Sequence, residues 1–125
     1  MLVLLKGPVE PELPPQGQPE AEVTRPSVEK RWLCAGCGRP ITDDDARMEV
    51  DGAHVHVRIN PVGIVYRFGC FDRADCVVSD QPTLENTWFP GRAWQYAHCP
   101  GCALHLGWFF GGFFGLVLDR LVRPE

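Results

Sequence analysis

From about Arg31 onward, apolar and polar positions alternate with a period of two rather than 3.6. The clearest run sets Val55, Val57 and Ile59 against His54, His56 and Arg58, which predicts a half-buried strand. Asn60-Pro61-Val62-Gly63 supplies turn chemistry, and Ile64, Tyr66 and Phe68 then alternate with Val65 and Arg67, so the two runs predict a hairpin. Residues 72–86 are polar and show no readable period. Phe89-Pro90-Gly91 marks another turn, followed by a strand with Trp94, Tyr96 and His98 on one face. A last pair of strands, 105–110 and 113–118, flanks Gly111-Gly112, a two-residue loop suited to a primed turn. The duplicated C-x-x-C is the one internal repeat in this pattern.

Composition sharpens the fold class. The 125 residues hold 12 prolines and 13 glycines, too many for a helical bundle, while 45% apolar residues suffice to close one core. The expectation is one mainly β domain with many turns. Half of the prolines (Pro8, Pro11, Pro14, Pro15, Pro19 and Pro26) fall in the first 26 residues, among Glu, Gln and Gly. Residues 1–30 therefore read as a disordered Pro-rich tail and residues 31–125 as the domain.

Charge removes two classes of function. Twelve basic against 16 acidic side chains give a net charge of −4 with no Lys/Arg cluster, which leaves nothing to neutralise phosphates and argues against nucleic acid. The uncharged stretch from Ala103 to Leu118 contains His105 and four glycines and falls short of a spanning helix, so no membrane partner is expected. Met1 to Leu5 is too short for a secretory signal core, and the expected compartment is cytoplasmic.

Candidate chemistry begins with Cys34-Ala35-Gly36-Cys37-Gly38 and Cys99-Pro100-Gly101-Cys102. A two-residue spacer curls the backbone so that both thiolates of a pair reach one ion, and four thiolates close a tetrahedron. The expected cofactor is one structural Zn2+ on Cys34, Cys37, Cys99 and Cys102, with 61 residues between the pairs, so the ion joins distant parts of the domain. Four protein ligands leave no open position for water or substrate, which argues against zinc-hydroxide catalysis. Cys70 and Cys76, beside Phe71 and Val77, read as small buried apolar residues.

Three of the four tryptophans, Trp88, Trp94 and Trp108, bracket the second cysteine pair. Trp88 enters the Phe89-Pro90-Gly91 turn, Trp94 leaves it, and Trp108 lies on the strand returning from the knuckle, with Phe110 on the same face. Filling a core is one use of such indoles; an aromatic cage at a surface is the sharper one, because each indole N–H needs a partner when buried. A cage for methylated ammonium usually adds a carboxylate, and Glu85 alone qualifies nearby. Asn60, Asn86 and Thr87 are neutral and able to donate and accept, so a neutral ligand with an amide-like edge fits better.

Together these residues resemble the CULT domain, the thalidomide-binding domain of cereblon, and especially its short single-domain bacterial relatives. The matching segments are Cys34-x-x-Cys37-Gly38, Asn60-Pro61-x-Gly63, Thr87-Trp88-Phe89-x-Gly91-x-x-Trp94, Cys99-x-x-Cys102-x-x-His105-Leu106-Gly107-Trp108 and Phe113-Phe114-Gly115-Leu116-x-x-Asp119-Arg120-Leu121, about three quarters of the chain. The resemblance implies a β-tent fold: two antiparallel sheets pinned by one zinc, with a three-tryptophan pocket for cyclic imides. Ligands of that family include glutarimides such as thalidomide, uracil-like and hydantoin-like rings, and C-terminal cyclic imides of damaged proteins or peptides. It further implies walls from Trp88, Trp94 and Trp108, Phe110 at the closing side, Asn60 as a polar contact, and imide bonds to backbone groups of Asn86 and Trp88. Asn86 and Thr87 depart from the family pattern, which has His or an aromatic, and Ser. The sequence lacks the additional domain and adaptor-binding region of eukaryotic cereblon, so no ubiquitin-ligase adaptor is inferred. The expected function is a binding module rather than an enzyme. The alternatives are a methyl-ammonium or peptide reader and an enzyme like methionine sulfoxide reductase, whose chemistry needs a nucleophilic cysteine after the second knuckle; none follows Cys102.

Overall fold

A computed structural model describes residues 27–125. The expected tail falls largely on residues 1–26, outside the described residues. A 3-10 turn, Val28–Lys30, leads into nine strands: β1 (Arg31–Cys34), β2 (Pro40–Asp43), β3 (Val55–Ile59), β4 (Val65–Phe71), β5 (Val77–Thr83), β6 (Trp94–His98), β7 (His105–Phe109), β8 (Phe114–Val117) and β9 (Leu121–Val122). They form two antiparallel sheets, one of three strands ordered β2-β1-β9 and one of six ordered β3-β4-β8-β7-β6-β5. The expected mainly β architecture of two antiparallel sheets is present.

The large sheet separates two apolar cores. On one face, Phe71, Ala97, Leu106, Phe114 and Leu116 meet Cys34, Ile41 and Leu121 of the small sheet. On the other face, Phe68, Cys70, Trp108, Phe110 and Val117 join Phe89 and Phe113 in an aromatic cluster. Period two explains the division, because Phe68 pairs with Val117 and Trp108 with Gly115, while the intervening residues point to the opposite core.

The β3–β4 hairpin forms where the alternation places it, with Asn60 Oδ1 accepting from the N–H groups of Val62 and Ile64 at 3.1 and 2.8 Å and Gly63 at φ 92°. Its facing is the reverse of an ordinary half-buried strand. Val55, Val57 and Ile59 are exposed, and His56 is 7% exposed. The imidazole lies flat on Phe68 at 5.7 Å and meets the edge of Phe89 at 5.3 Å, while Nε2 reaches the Ala53 carbonyl at 3.0 Å. Aromatic contact and a satisfied ring nitrogen make the histidine a better core residue here than valine.

Strand β5 occupies the stretch that shows no period. Pro82 lies within it, Asp80 has φ 68°, and its pairing with β6 slips between Ser79 and Thr83. Such interruptions are tolerated because β5 is an edge strand, where a missing N–H costs no ladder bond. The closing hairpin turns through Gly111-Gly112 as expected, with Gly111 at φ 91° and Phe110 N–H bonded to Phe113 O at 2.8 Å. Between β7 and β8 the strands approach so closely that a Cβ on Gly107 would overlap the Gly115 carbonyl. Only glycine fits there, and the approach fixes Trp108 beside Gly115.

Candidate functional site

The two cysteine pairs fold as matched knuckles. In the first, between β1 and β2, Cys34 N–H bonds Arg39 O at 2.8 Å and Gly36 N–H points at Cys34 Sγ at 3.3 Å. In the second, between β6 and β7, Cys99 N–H bonds Leu104 O at 2.9 Å and Gly101 N–H points at Cys99 Sγ at 3.3 Å. The four Sγ atoms lie within 4.8 Å of one another, and Cys34–Cys102 and Cys37–Cys99 are both 3.6 Å apart. Thiolates about 2.3 Å from a tetrahedral ion sit about 3.8 Å from each other, so this donor set fits one ion of that kind. Burial pushes the Cys99 thiol up, but the backbone N–H groups of Cys102 and Gly101 and the neighbouring sulfurs outweigh it and bring Cys99 down to about 7. A thiol so disposed is readily available as thiolate.

The tryptophans converge on the opposite face of the large sheet, around a cavity of about 250 Å³ lined by Asn60, Pro61, Tyr66, Asn86, Trp88, Trp94, Tyr96, His105, Trp108 and Phe110. Trp88 and Trp108 meet edge to face at 4.9 Å and 79°. Two of the three indoles are pinned through their N–H groups: Trp88 Nε1–H donates to Ile59 O at 3.1 Å and Trp94 Nε1–H to Glu85 O at 2.8 Å, so neither of these polar edges is free for a ligand. Phe110, 2% exposed, lies beneath. Among the described residues no carboxylate lines the cavity.

Of the residues expected from sequence, Asn60, Asn86, Trp88, Trp94, Trp108 and Phe110 all line this cavity. Thr87 does not. Its hydroxyl donates to Arg92 O at 2.6 Å and accepts from Phe89 N–H at 3.3 Å, and so closes the turn that carries Trp88. Asn60 has its side-chain oxygen committed to the hairpin turn, which leaves only its amide N–H groups for a ligand. Asn86 sits at φ 58°, and among the described residues neither its carbonyl nor the Trp88 N–H has a hydrogen-bond partner. An acceptor and a donor two residues apart are thus open at the cavity.

Pro61, Tyr66, Tyr96 and His105 were missed as site residues. For Tyr96 the signal was available, since it shares the face of Trp94 and stands opposite Trp108 in the β6–β7 register. Tyr66 follows from the face of Phe68. His105 meets Trp108 edge to face at 5.1 Å; its Nδ1 is 3.2 Å from Arg120 and its Nε2 2.9 Å from Gly107 O. A guanidinium only donates, so Nδ1 accepts and Nε2–H donates to the carbonyl, which fixes the neutral tautomer.

Burial pushes His105 below the usual imidazole value of 6.5, against the Gly107 carbonyl, and nearby Arg120 and His98 add to the depression. The unfolded chain therefore takes up the proton first, and the stability His105 contributes, present above about pH 6.5, is lost as pH falls from there through its folded value. Melting temperature is expected to drop between pH 7.5 and 5.5, with a shallower drop in His105→Asn. Equal slopes for both proteins would contradict this.

No family model matches the chain. Curated relatives do: the chain is 36% identical over 53 residues to protein cereblon of Gallus gallus and 38% identical over 53 residues to that of Xenopus tropicalis, in both cases 42% of this chain. Over 74 residues, 51% of the chain, it is 34% identical to protein cereblon of Danio rerio. These partial matches are consistent with a cereblon-type domain. The matched stretches make up 12% to 17% of the length of these cereblons, so the similarity concerns a part of them. No helix among the described residues is long and apolar enough to cross a membrane.

Proposed function

We propose that this cereblon-type domain captures cyclic imides, flat rings of the glutarimide, uracil or hydantoin kind, alone or at the end of a peptide, in a cage of Trp88, Trp94 and Trp108. The observation that carries the reading is the open Asn86 carbonyl and Trp88 N–H beside indole faces whose own N–H groups are occupied. An imide presents acceptor, donor and acceptor along one edge. Its N–H donates to Asn86 O and one carbonyl accepts from Trp88 N–H, while the ring's apolar faces lie against indole. A cavity of about 250 Å³ lies just under the range of about 300–1,000 Å³ typical of drug-sized ligands, which suits a single ring with a small substituent.

In this reading residues 31–125 form the binding domain and the four cysteines hold one structural zinc. Such an ion supplies a crosslink between the β1–β2 and β6–β7 loops, which belong to different sheets. Because β6 and β7 carry Trp94 and Trp108, the crosslink also steadies two walls of the cage. An enzyme using a free thiol is disfavoured: burial pushes Cys70 up to about 11 and Cys76 up to about 12, so neither is a thiolate at neutral pH. A methyl-ammonium reader is disfavoured because no carboxylate lines the cavity among the described residues.

Titration with glutarimide, uridine and a trimethyl-lysine peptide, followed by tryptophan fluorescence, tests the reading. Glutarimide is expected to quench with a micromolar-range Kd, since a ring of few atoms has a limited total binding energy. Tighter binding of the trimethyl-lysine peptide would replace the imide reading with the ammonium one.

A further inference from the structure

Resting on that reading, we infer that Tyr66 and Tyr96 form a second recognition element that selects imides bearing a hydrogen-bond acceptor on the ring substituent. The two phenols flank the Trp108–His105 pair: Tyr66 meets Trp108 edge to face at 5.0 Å, and Tyr96 meets His105 at 5.4 Å. Both line the cavity, and among the described residues neither hydroxyl has a hydrogen-bond partner. The Tyr96 ring is anchored on Trp94 at 5.0 Å and the Tyr66 ring lies under the Arg120 guanidinium at 5.7 Å, so both rings are held while their hydroxyls stay open.

The polar groups around them decide what these hydroxyls meet. His105 has both ring nitrogens engaged, by Arg120 and by Gly107 O, and offers a ligand only ring surface. The Arg120 guanidinium lies over the Tyr66 ring, and among the described residues no carboxylate lines the cavity. A hydroxyl can donate or accept, but with a guanidinium over the Tyr66 ring and no carboxylate among the described lining residues the favoured partner is an electron-rich oxygen that accepts. A carbonyl attached one bond beyond the imide ring has that character; an alkyl group or an ammonium does not. The cage then recognises the ring, and the tyrosines recognise what the ring is attached to.

The test compares glutarimide with N-acetyl-3-aminoglutarimide on the full chain and on Tyr66→Phe and Tyr96→Phe, with zinc content and melting confirming that each variant is folded. Phenylalanine keeps the edge contacts and removes only the hydroxyl. Each variant is expected to bind the acetylated imide about three- to tenfold more weakly, the effect of one lost hydrogen bond, while glutarimide affinity stays within about twofold. Glutarimide binding with no difference between the two probes in either variant would overturn this assignment and leave the imide reading standing. Failure of glutarimide itself to bind the folded full chain would overturn both.

Discussion

Cys99→Ser is expected to abolish cooperative folding of the domain and to release the zinc proposed for the four cysteines. The four sulfurs converge from two loops that have no other covalent link, one on the small sheet and one on the large. Binding energy available only to the folded chain is folding energy, and structural zinc contributes on the order of 10 kcal/mol in small domains. That exceeds much of the 5–15 kcal/mol by which an ordinary domain is stable. Cys99 is buried in the same core as Cys34, Leu121 and Leu106, so serine also brings a hydroxyl into apolar surroundings. Elemental analysis and thermal melting check the outcome. A Cys99→Ser protein that melts like the parent would show that packing between the sheets suffices without metal.

Trp94→Ala is expected to weaken glutarimide binding by about 3 kcal/mol, roughly two orders of magnitude in Kd. Trp94 lines the cavity together with Trp88 and Trp108, and its indole is locked by the bond to Glu85 O, so alanine removes one wall and admits water. The side chain is half-buried and packs against the rim of the aromatic core around Phe68 without being one of its fully buried members, so folding survives. Isothermal titration calorimetry reads the loss, and a change below about threefold would place the ligand elsewhere.

Local chemistry made much of this legible in the sequence. C-x-x-C spacing fixes a knuckle within four residues, and Gly111-Gly112 fixes a turn within two, so both sites follow without knowing the rest of the chain. The tryptophans converge because turn and register bring Trp88, Trp94 and Trp108 together, and those turns are marked by Pro90 and Gly91. Facing was harder to read. His56 goes inward and Val57 outward because of what waits on each side, a stack of Phe68 and Phe89 against open surface, and no pattern within β3 records that. Strand β5 was unreadable because Pro82 and Asp80 break its period, and β9 because it is only two residues, Leu121 and Val122, that pair with the distant Cys34 and Leu33. The roles of Thr87 and Asn60 depend on hydrogen bonds spent inside turns, which composition does not reveal.

The most direct measurement is a calorimetric comparison of glutarimide with N-methylglutarimide on the zinc-loaded protein. The methyl group leaves the ring's faces unchanged but removes the donor that meets Asn86 O, so that carbonyl is buried without a partner and the methyl collides with the Asn86–Trp88 backbone. The account predicts micromolar-range binding of glutarimide and no detectable binding of the N-methyl compound at millimolar concentration. Equal binding of the two, or no binding of glutarimide to folded, zinc-loaded protein, would contradict it.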